Sequence, residues 1–238
     1  MEDGIFISRE SYMKEILKKF NMLDYNPVNT PMEIGTKLSK FDEGEKVDPT
    51  FFKSLVGSLR YLTCTRTYIL IAVRVVSRFM EAPTSTHLKV ARRIPRYLKC
   101  TFDFGLFYSS FSDIDLMRYC DSDYAGDIDD RKNTTVFVFF LGDYVISWSL
   151  KKQSIVTLST CEGEYVATTS CTCQESVYHD RRKHIDTMYH FIREFIAKKE
   201  VELKYVKSHD QIADIFTKPL KFEDFRRLRS SLGMKKKK

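Results

Sequence analysis

Two β-rich runs, Thr134–Leu141 and Tyr144–Leu150, are joined at Gly142-Asp143, and acids lie on both sides of them. Upstream, Tyr119-Cys120-Asp121-Ser122-Asp123-Tyr124-Ala125-Gly126-Asp127 reads as a short strand ending in carboxylates. Downstream, Ser159-Thr160-Cys161-Glu162-Gly163-Glu164-Tyr165 reads as the first turn of a helix, with Ser159 and Glu162 spaced as a capping box. A strand carrying an acid, a meander, and a helix carrying a second acid bring carboxylates from distant sequence to one place. Hard cations such as Mg²⁺ take oxygen ligands and keep several waters, so one or two converging carboxylates together with substrate phosphates suffice to hold them. Leu116 to Ala167 is therefore the stretch that organises the chain.

Ahead of it, residues 5–20 read as a short strand, Ile5-Phe6-Ile7, and a helix with Tyr12, Ile16, Lys19 and Phe20 at helical spacing, capped by Ser8 or Ser11. Asn26-Pro27, Thr30-Pro31, Gly35, Gly44 and Asp48-Pro49 make residues 24–50 loop-like. Residues 51–100 read as two or three helices. The first carries an apolar stripe of Phe52, Leu55, Val56, Leu59 and Leu62, the second runs from Ile69 to Met80, and the third from His87 to Leu98. Pro95 falls inside the third, where an interior proline removes a hydrogen bond and costs ~3 kcal/mol. Phe104–Tyr108 and Asp115–Cys120 read as paired strands around Ser109–Asp113. Beyond the central stretch come a helix continuing to about Tyr178, an amphipathic helix marked by Ile185, Met188, Ile192, Phe195 and Ile196, and a strand Val201–Val206. Terminal helices run from Ile212 to Leu232, broken at Pro219.

Taken together, Tyr119–Asp127, Asp130–Thr134, Ile146-Ser147-Trp148, Lys151-Lys152-Gln153, Leu158–Tyr165 and Ala213–Leu220 resemble the ribonuclease H region of copia-type (Ty1/copia) retrotransposon Pol polyproteins. The runs Val56–Thr63 and Ser77–Met80 are similar to the thumb and connection region of the reverse transcriptases of that family, although Thr67-Tyr68 stand where the family usually shows Pro-Asp. The fold implied is α/β, of the α+β kind. A helical segment over 1–100 precedes a ribonuclease H-like domain over 101–234, a mixed sheet flanked by helices, and Lys235–Lys238 form a disordered tail. The family's chemistry is hydrolysis of RNA in RNA–DNA hybrids with two Mg²⁺ or Mn²⁺ ions, one activating water and the other stabilising the leaving oxygen.

By the same resemblance, Asp121, Glu164 and Asp214 are the catalytic and metal-binding acids. Glu162, Asp123 and Asp127 lie nearby; Glu162 also reads as a helix cap and the two aspartates as solvated turn residues. The third acid of the family lies in a Cys-Asp-Asn motif on a strand–helix unit that is missing here. The chain passes from Cys171-Thr172-Cys173-Gln174 straight to His179–Asp186, and matching flanks imply an internal deletion near 178–184. Asp180 sits in a charged loop and is no evident substitute. Loss of one ligand and one strand implies impaired cleavage. The alternatives are a non-catalytic nucleic-acid-binding module and a product of a degenerate element with no function. The polymerase palm would lie before Met1, no Tyr-x-Asp-Asp occurs, and Asp129-Asp130 lie in another context, so DNA synthesis by this chain alone is excluded on chemical grounds.

Net charge is +7, with four of those charges in the terminal lysines, and a basic balance favours polyanions. Arg66, Arg74, Arg78, Arg92, Arg93, Arg96 and Lys99 are candidate phosphate contacts of the helical segment, and Lys151 and Lys152 of the sheet. The partners implied are an RNA–DNA hybrid or other nucleic acid and the remainder of a Pol polyprotein. No apolar run of about 18 residues occurs, the N-terminus lacks a signal-peptide layout, and six cysteines read as reduced thiols, which implies an intracellular setting in cytoplasm or nucleus. Zinc binding by Cys171, Cys173, His179 and His184 fits poorly, because residues two apart on a helix point apart. Trp148 and the phenylalanines read as core.

Overall fold

A computed structural model describes residues 4–109, 115–173, 193–194, 196–199 and 201–237. The chain divides into two compact units, one gathering residues 1–114, 142–144 and 218–238, the other residues 115–141 and 145–217. Seven helices and two three-stranded sheets lie among the described residues, an α+β mixture consistent with a ribonuclease H-like fold. None of these helices is long and apolar enough to cross a membrane.

The first unit is built on helices α1 (Glu10–Lys19), α2 (Pro49–Leu62), α3 (Leu70–Ser77) and α4 (Ser85–Leu98). No side chain caps α1, whose N-cap is Arg9 rather than Ser8 or Ser11. Asp48-Pro49 starts α2: the Asp48 carboxylate accepts from the amides of Thr50 and Phe51, and proline's fixed φ suits the first helical position. The expected stripe of Phe52, Leu55, Val56, Leu59 and Leu62 is buried. Ahead of α3 the chain makes a 3₁₀ turn over Thr67–Ile69. The Thr84 amide donates to His87 Nδ1 at 3.0 Å, and the buried His87 ring stacks on Phe79 with centroids 3.9 Å apart, which fixes the start of α4. Pro95 does not end this helix. It lies three residues before the terminus, so it deprives only one interior carbonyl of its donor.

Strand β2 (Phe104–Ser109) does not pair with the strand that follows it. It lies antiparallel between β1 (Gly4–Ile7) and β6 (Met234–Lys236), with Gly105 beside the Ile7 backbone. A Cβ on Gly105 would fall 2.6 Å from the Ile7 carbonyl oxygen, so no larger residue fits this approach without displacement. The lysine tail is likewise not free. Lys235 and Lys236 belong to β6, the Lys237 amide donates to the Asp103 carbonyl at 2.6 Å, and the Lys235 ammonium lies 4.6 Å from the centre of the Phe107 ring. Ladder bonds use only backbone, and lysine stems lie along apolar rings while their charges stay in water. Helix α7 (Phe222–Ser231) packs Phe225 against Tyr97, with centroids 5.5 Å apart, and Arg229 donates to the Tyr97 hydroxyl at 2.8 Å. Residues on both sides of position 100 thus share one core.

The second unit is a sheet in the order β3 (Leu116–Ser122), β4 (Thr134–Leu141), β5 (Tyr144–Lys152), the meander expected from the sequence. Asp121 lies opposite Val136 and Ser122 opposite Thr135. Helix α5 (Thr160–Cys173) covers the sheet, burying Val166, Ala167 and Cys171. A short helix, α6 (Asp214–Thr217), follows. Val201–Val206 forms no ladder with any described residue, so the described sheet is antiparallel where a mixed one was expected. Trp148 is only partly buried. The helix expected around Ile185–Ile196, the presumed deletion near 178–184, Asp180, His179 and His184 lie wholly or largely outside the described residues.

Candidate functional site

Strand pairing carries Asp121 to the end of β3, and the capping box starts α5 one turn before Glu164. The Glu162 amide donates to Ser159 Oγ at 3.1 Å, and the Glu162 carboxylate accepts from the Leu158 amide at 2.6 Å. Glu162 is therefore spent as a cap. The third acid, Asp214, is buried in the first turn of α6. Gln211 fastens that turn: its Nε2 donates to the Cys120 carbonyl at 3.1 Å, and its Oε1 accepts from the Ala213 amide at 3.3 Å. Thr217, one turn on, donates its hydroxyl to Asp121 Oδ2 at 2.5 Å.

These contacts place the three acids expected from the sequence within electrostatic reach of one another. Glu164 is pushed up to about 7: its carboxyl is partly desolvated, the Asp121 charge and hydrogen bond favour its protonated form, and the Asp214 charge adds to this. The Ser122 amide, donating to Glu164 Oε1 at 3.4 Å, opposes the shift. A cation placed between Asp121 and Glu164 would relieve the repulsion that raises Glu164. Among the described residues no group of three His, Cys, Asp or Glu is placed to hold a metal ion by itself. Asp121 and Glu164 could offer two oxygen ligands, enough for one hard cation completed by waters and phosphate but not for two ions held by protein alone.

A polar layer that the sequence did not disclose lies under these acids. Asn133 donates to Thr157 Oγ1 at 2.7 Å and accepts from the Ala125 amide at 2.8 Å. Gln153 reaches Thr135 Oγ1 at 3.0 Å, the Gly163 carbonyl at 3.1 Å and Ser122 Oγ at 3.3 Å. Lys152 bridges Asp127 at 2.5 Å and Asp130 at 2.8 Å. Although burial works against its charge, those two carboxylates hold the ammonium above its ordinary value. Asp127 is thereby buried rather than solvated. The available signal was a set of amides and hydroxyls at the ends of otherwise apolar β segments.

The expected basic contacts divide differently. Arg66 is 1% exposed, and its guanidinium donates to the Tyr68 hydroxyl and to the carbonyls of Thr101 and Phe104, each at 2.8 Å. It is a tie within the core, its planar fork serving several acceptors at once. Arg93 donates to the Thr30 carbonyl and Glu33, Arg96 to the Asn26 carbonyl, and Lys99 to the carbonyls of Leu23 and Tyr25. These three clasp the 21–34 loop onto α4 and its end. Arg92 lies near the Phe51 ring, 5.9 Å from its centre. Arg74 is only partly buried, and desolvation with the like charges of Arg78 and Arg60 holds its pKa below the ordinary arginine value. Lys151 is exposed. Cys171 is pushed up to about 12, first by burial and then by Cys120, which does not favour the thiolate that a zinc site needs.

An α+β chain with an antiparallel meander and a covering helix is consistent with a ribonuclease H-like architecture. Comparison with known sequences then gives the family. The retrovirus-related Pol polyprotein from transposon RE1 of Arabidopsis thaliana is 37% identical over 97% of this chain and 18% of its own length. The Pol polyprotein from transposon TNT 1-94 of Nicotiana tabacum is 35% identical, covering 97% of this chain and 20% of its own length. An uncharacterized mitochondrial protein of Arabidopsis thaliana is 40% identical across 69% of this chain and 68% of itself. The chain belongs to the copia-type retrotransposon Pol polyprotein family, and spans about a fifth of the Pol polyproteins it matches. The alignment with the RE1 protein runs over 264 residues against 238 in this chain, so that relative carries residues this one lacks. No protein-family profile matches the chain, and no solved structure matches it.

Proposed function

We propose that this chain is a remnant of a Pol polyprotein that retains part of a ribonuclease H site, binding a polynucleotide and one Mg²⁺ or Mn²⁺ while cleaving RNA in RNA–DNA hybrids weakly or not at all. The observation that carries this reading is the convergence of Asp121, Glu164 and Asp214 from three separated stretches, close enough to push Glu164 to about 7. A bound ion in such a site supplies a Lewis acid toward a phosphodiester and lowers the pKa of water. Asp121, oriented by Thr217, and Glu164, carried on the first turn of α5, would hold it; Asp214 adds negative charge to the site. Glu164 in its protonated form gives up its proton before it can act as a ligand, which makes loading pH-dependent.

Impairment is supported by three observations: the missing Cys-Asp-Asn unit, the longer aligned stretch of the relatives, and Val201–Val206, which lacks a ladder partner among the described residues. A second reading, a nucleic-acid-binding module without catalysis, is favoured by the like charges of Arg78 and Arg60 beside the partly buried Arg74. The test is Mg²⁺-dependent cleavage of a labelled RNA–DNA hybrid by protein shown to be folded by circular dichroism, with Asp121→Asn as control. Expected is binding with a salt-dependent affinity and cleavage at least about a hundredfold below an intact relative, in keeping with the loss expected when a group acting directly on the transition state is removed. Cleavage at a relative's rate, abolished by Asp121→Asn, would overturn the impairment; absence of binding at low salt would overturn both readings.

A further inference from the structure

We propose that Gln153 is a positioning residue, which holds the first turn of α5 against the end of β3 and thereby sets the separation of Asp121 and Glu164. The side chain is nine-tenths buried at the first residue after β5, where the chain leaves the sheet for α5. Its amide nitrogen, with two hydrogens to share, lies within hydrogen-bond reach of acceptors on three elements: Ser122 Oγ at the end of β3, Thr135 Oγ1 at the start of β4, and the Gly163 carbonyl in α5. Ser122 follows Asp121 and Gly163 precedes Glu164, so the two partners at the ends of this bridge are the chain neighbours of the two acids. The Gln153 backbone amide is itself fixed by donating to the Asn133 carbonyl at 2.8 Å. Its side-chain Oε1 meets no hydrogen-bond partner among the described residues. A buried acceptor left unmet is costly, so an apolar residue would serve packing better. What an apolar residue lacks is the donor that ties helix to strand.

The assignment of a metal to this site rests on the function proposed above; the bridge itself does not. Both are read in the full-length chain with three variants: Gln153→Leu, Gln153→Asn and Thr135→Val. Amide hydrogen exchange of metal-free protein reports the bridge, and Mn²⁺ titration by calorimetry reports the ligand geometry. In Gln153→Leu the Gly163 and Glu164 amides exchange about tenfold faster while those of Val166 to Thr169 stay within about threefold, and the Mn²⁺ Kd rises about 10- to 100-fold. Gln153→Asn, whose amide is withdrawn by one methylene, gives the same pattern at smaller amplitude and serves where the leucine variant does not fold. Thr135→Val removes one acceptor without touching α5, lowering the melting temperature but changing neither the local exchange nor the Mn²⁺ Kd.

Unchanged exchange at Gly163 and Glu164, or acceleration spread evenly along α5, overturns the proposal. Selective loosening with an unchanged Mn²⁺ Kd also overturns it, because the bridge would then not set ligand geometry. If the wild-type chain takes up no Mn²⁺ while Gln153→Leu still loosens that turn alone, the metal-binding function falls and the bridge stands.

Discussion

Gly163→Ala is the sharpest test of how tightly α5 is seated, because helix propensity and packing predict opposite signs. A methyl group at Gly163 would lie 2.4 Å from Asn133 Nδ2 and 3.1 Å from Ser122 Oγ. Ordinary contact requires the amide to recede by about 1 Å. Asn133 is held from both ends, by Thr157 at 2.7 Å and the Ala125 amide at 2.8 Å, so receding breaks at least one buried hydrogen bond. That costs about 1–3 kcal/mol; backing α5 away instead costs about as much in lost packing. Alanine returns about 1 kcal/mol of helix propensity. The expected net loss is up to about 2 kcal/mol, or a fall of up to about 8 °C in melting temperature for a chain of this size. Gly57 is the internal control. It lies in α2, where a methyl group would meet nothing within 4 Å, so Gly57→Ala should gain up to about 1 kcal/mol. Scanning calorimetry of the two variants beside wild type decides the matter. A Gly163→Ala chain stabilised as much as Gly57→Ala would refute the close approach of α5 to Asn133.

Three further outcomes follow from the same geometry. The folded pKa of Glu164, about 7 against an ordinary 4.5, means the native state binds its proton more tightly, so its contribution to stability falls as pH rises from about 4.5 to 7. Glu164→Gln should therefore gain on wild type by about 0.5–1 kcal/mol at pH 8, after allowance for solvent screening at this exposed residue, and less at pH 5; a pH-independent difference in melting temperature counts against the acid cluster. Arg66→Met strips donors from the buried carbonyls of Thr101 and Phe104 and should cost about 2–4 kcal/mol in urea unfolding, yet leave the salt slope of nucleic-acid binding unchanged; a slope reduced by about one would restore Arg66 as a phosphate contact. Mg²⁺ at about ten times its Kd should stabilise the chain by about 1.4 kcal/mol at pH 8, and an equal gain in Asp121→Asn would place the ion elsewhere.

What the sequence disclosed and what it hid have a common physical reason. The meander β3–β4–β5, the capped start of α5 and the apolar stripe of α2 are set by contacts between near neighbours, so periodicity and spacing reveal them. Asp121, Glu164 and Asp214 were singled out by resemblance, because each sits in a motif with a recognisable order of residue types, and the fold brings them within electrostatic reach of one another. Placement of β2 was not, because its partners are about 100 residues upstream and 130 downstream, and a ladder bond does not depend on side-chain identity. The same indifference hid the use of Lys235 and Lys236 as strand. Arginine proved the least legible residue: Arg66, Arg93 and Arg96 all donate to backbone carbonyls, and a guanidinium serves a carbonyl as well as a phosphate.

The surviving acids also limit what this site can do, by charge alone. Asp121, Glu164 and Asp214 amount to at most three negative charges, and the upward push on Glu164 subtracts from that near neutrality. One dication meets that charge; a second would bring two positive centres together with too little carboxylate between them, and their repulsion would have to be offset by substrate phosphates. Polynucleotide binding should therefore promote metal loading more strongly than the acids do alone, and the two ligands should bind cooperatively. That expectation separates the remnant from an intact site more cleanly than a rate does. A site already charged for two ions binds them without substrate, whereas here the Mn²⁺ Kd measured by calorimetry should fall about fivefold or more when a non-cleavable hybrid is present, the lower end of ordinary coupling between two ligands. An unchanged Kd would mean that the three acids, or others beside them, already satisfy the ion, and would count against the proposed loss of a ligand-bearing unit.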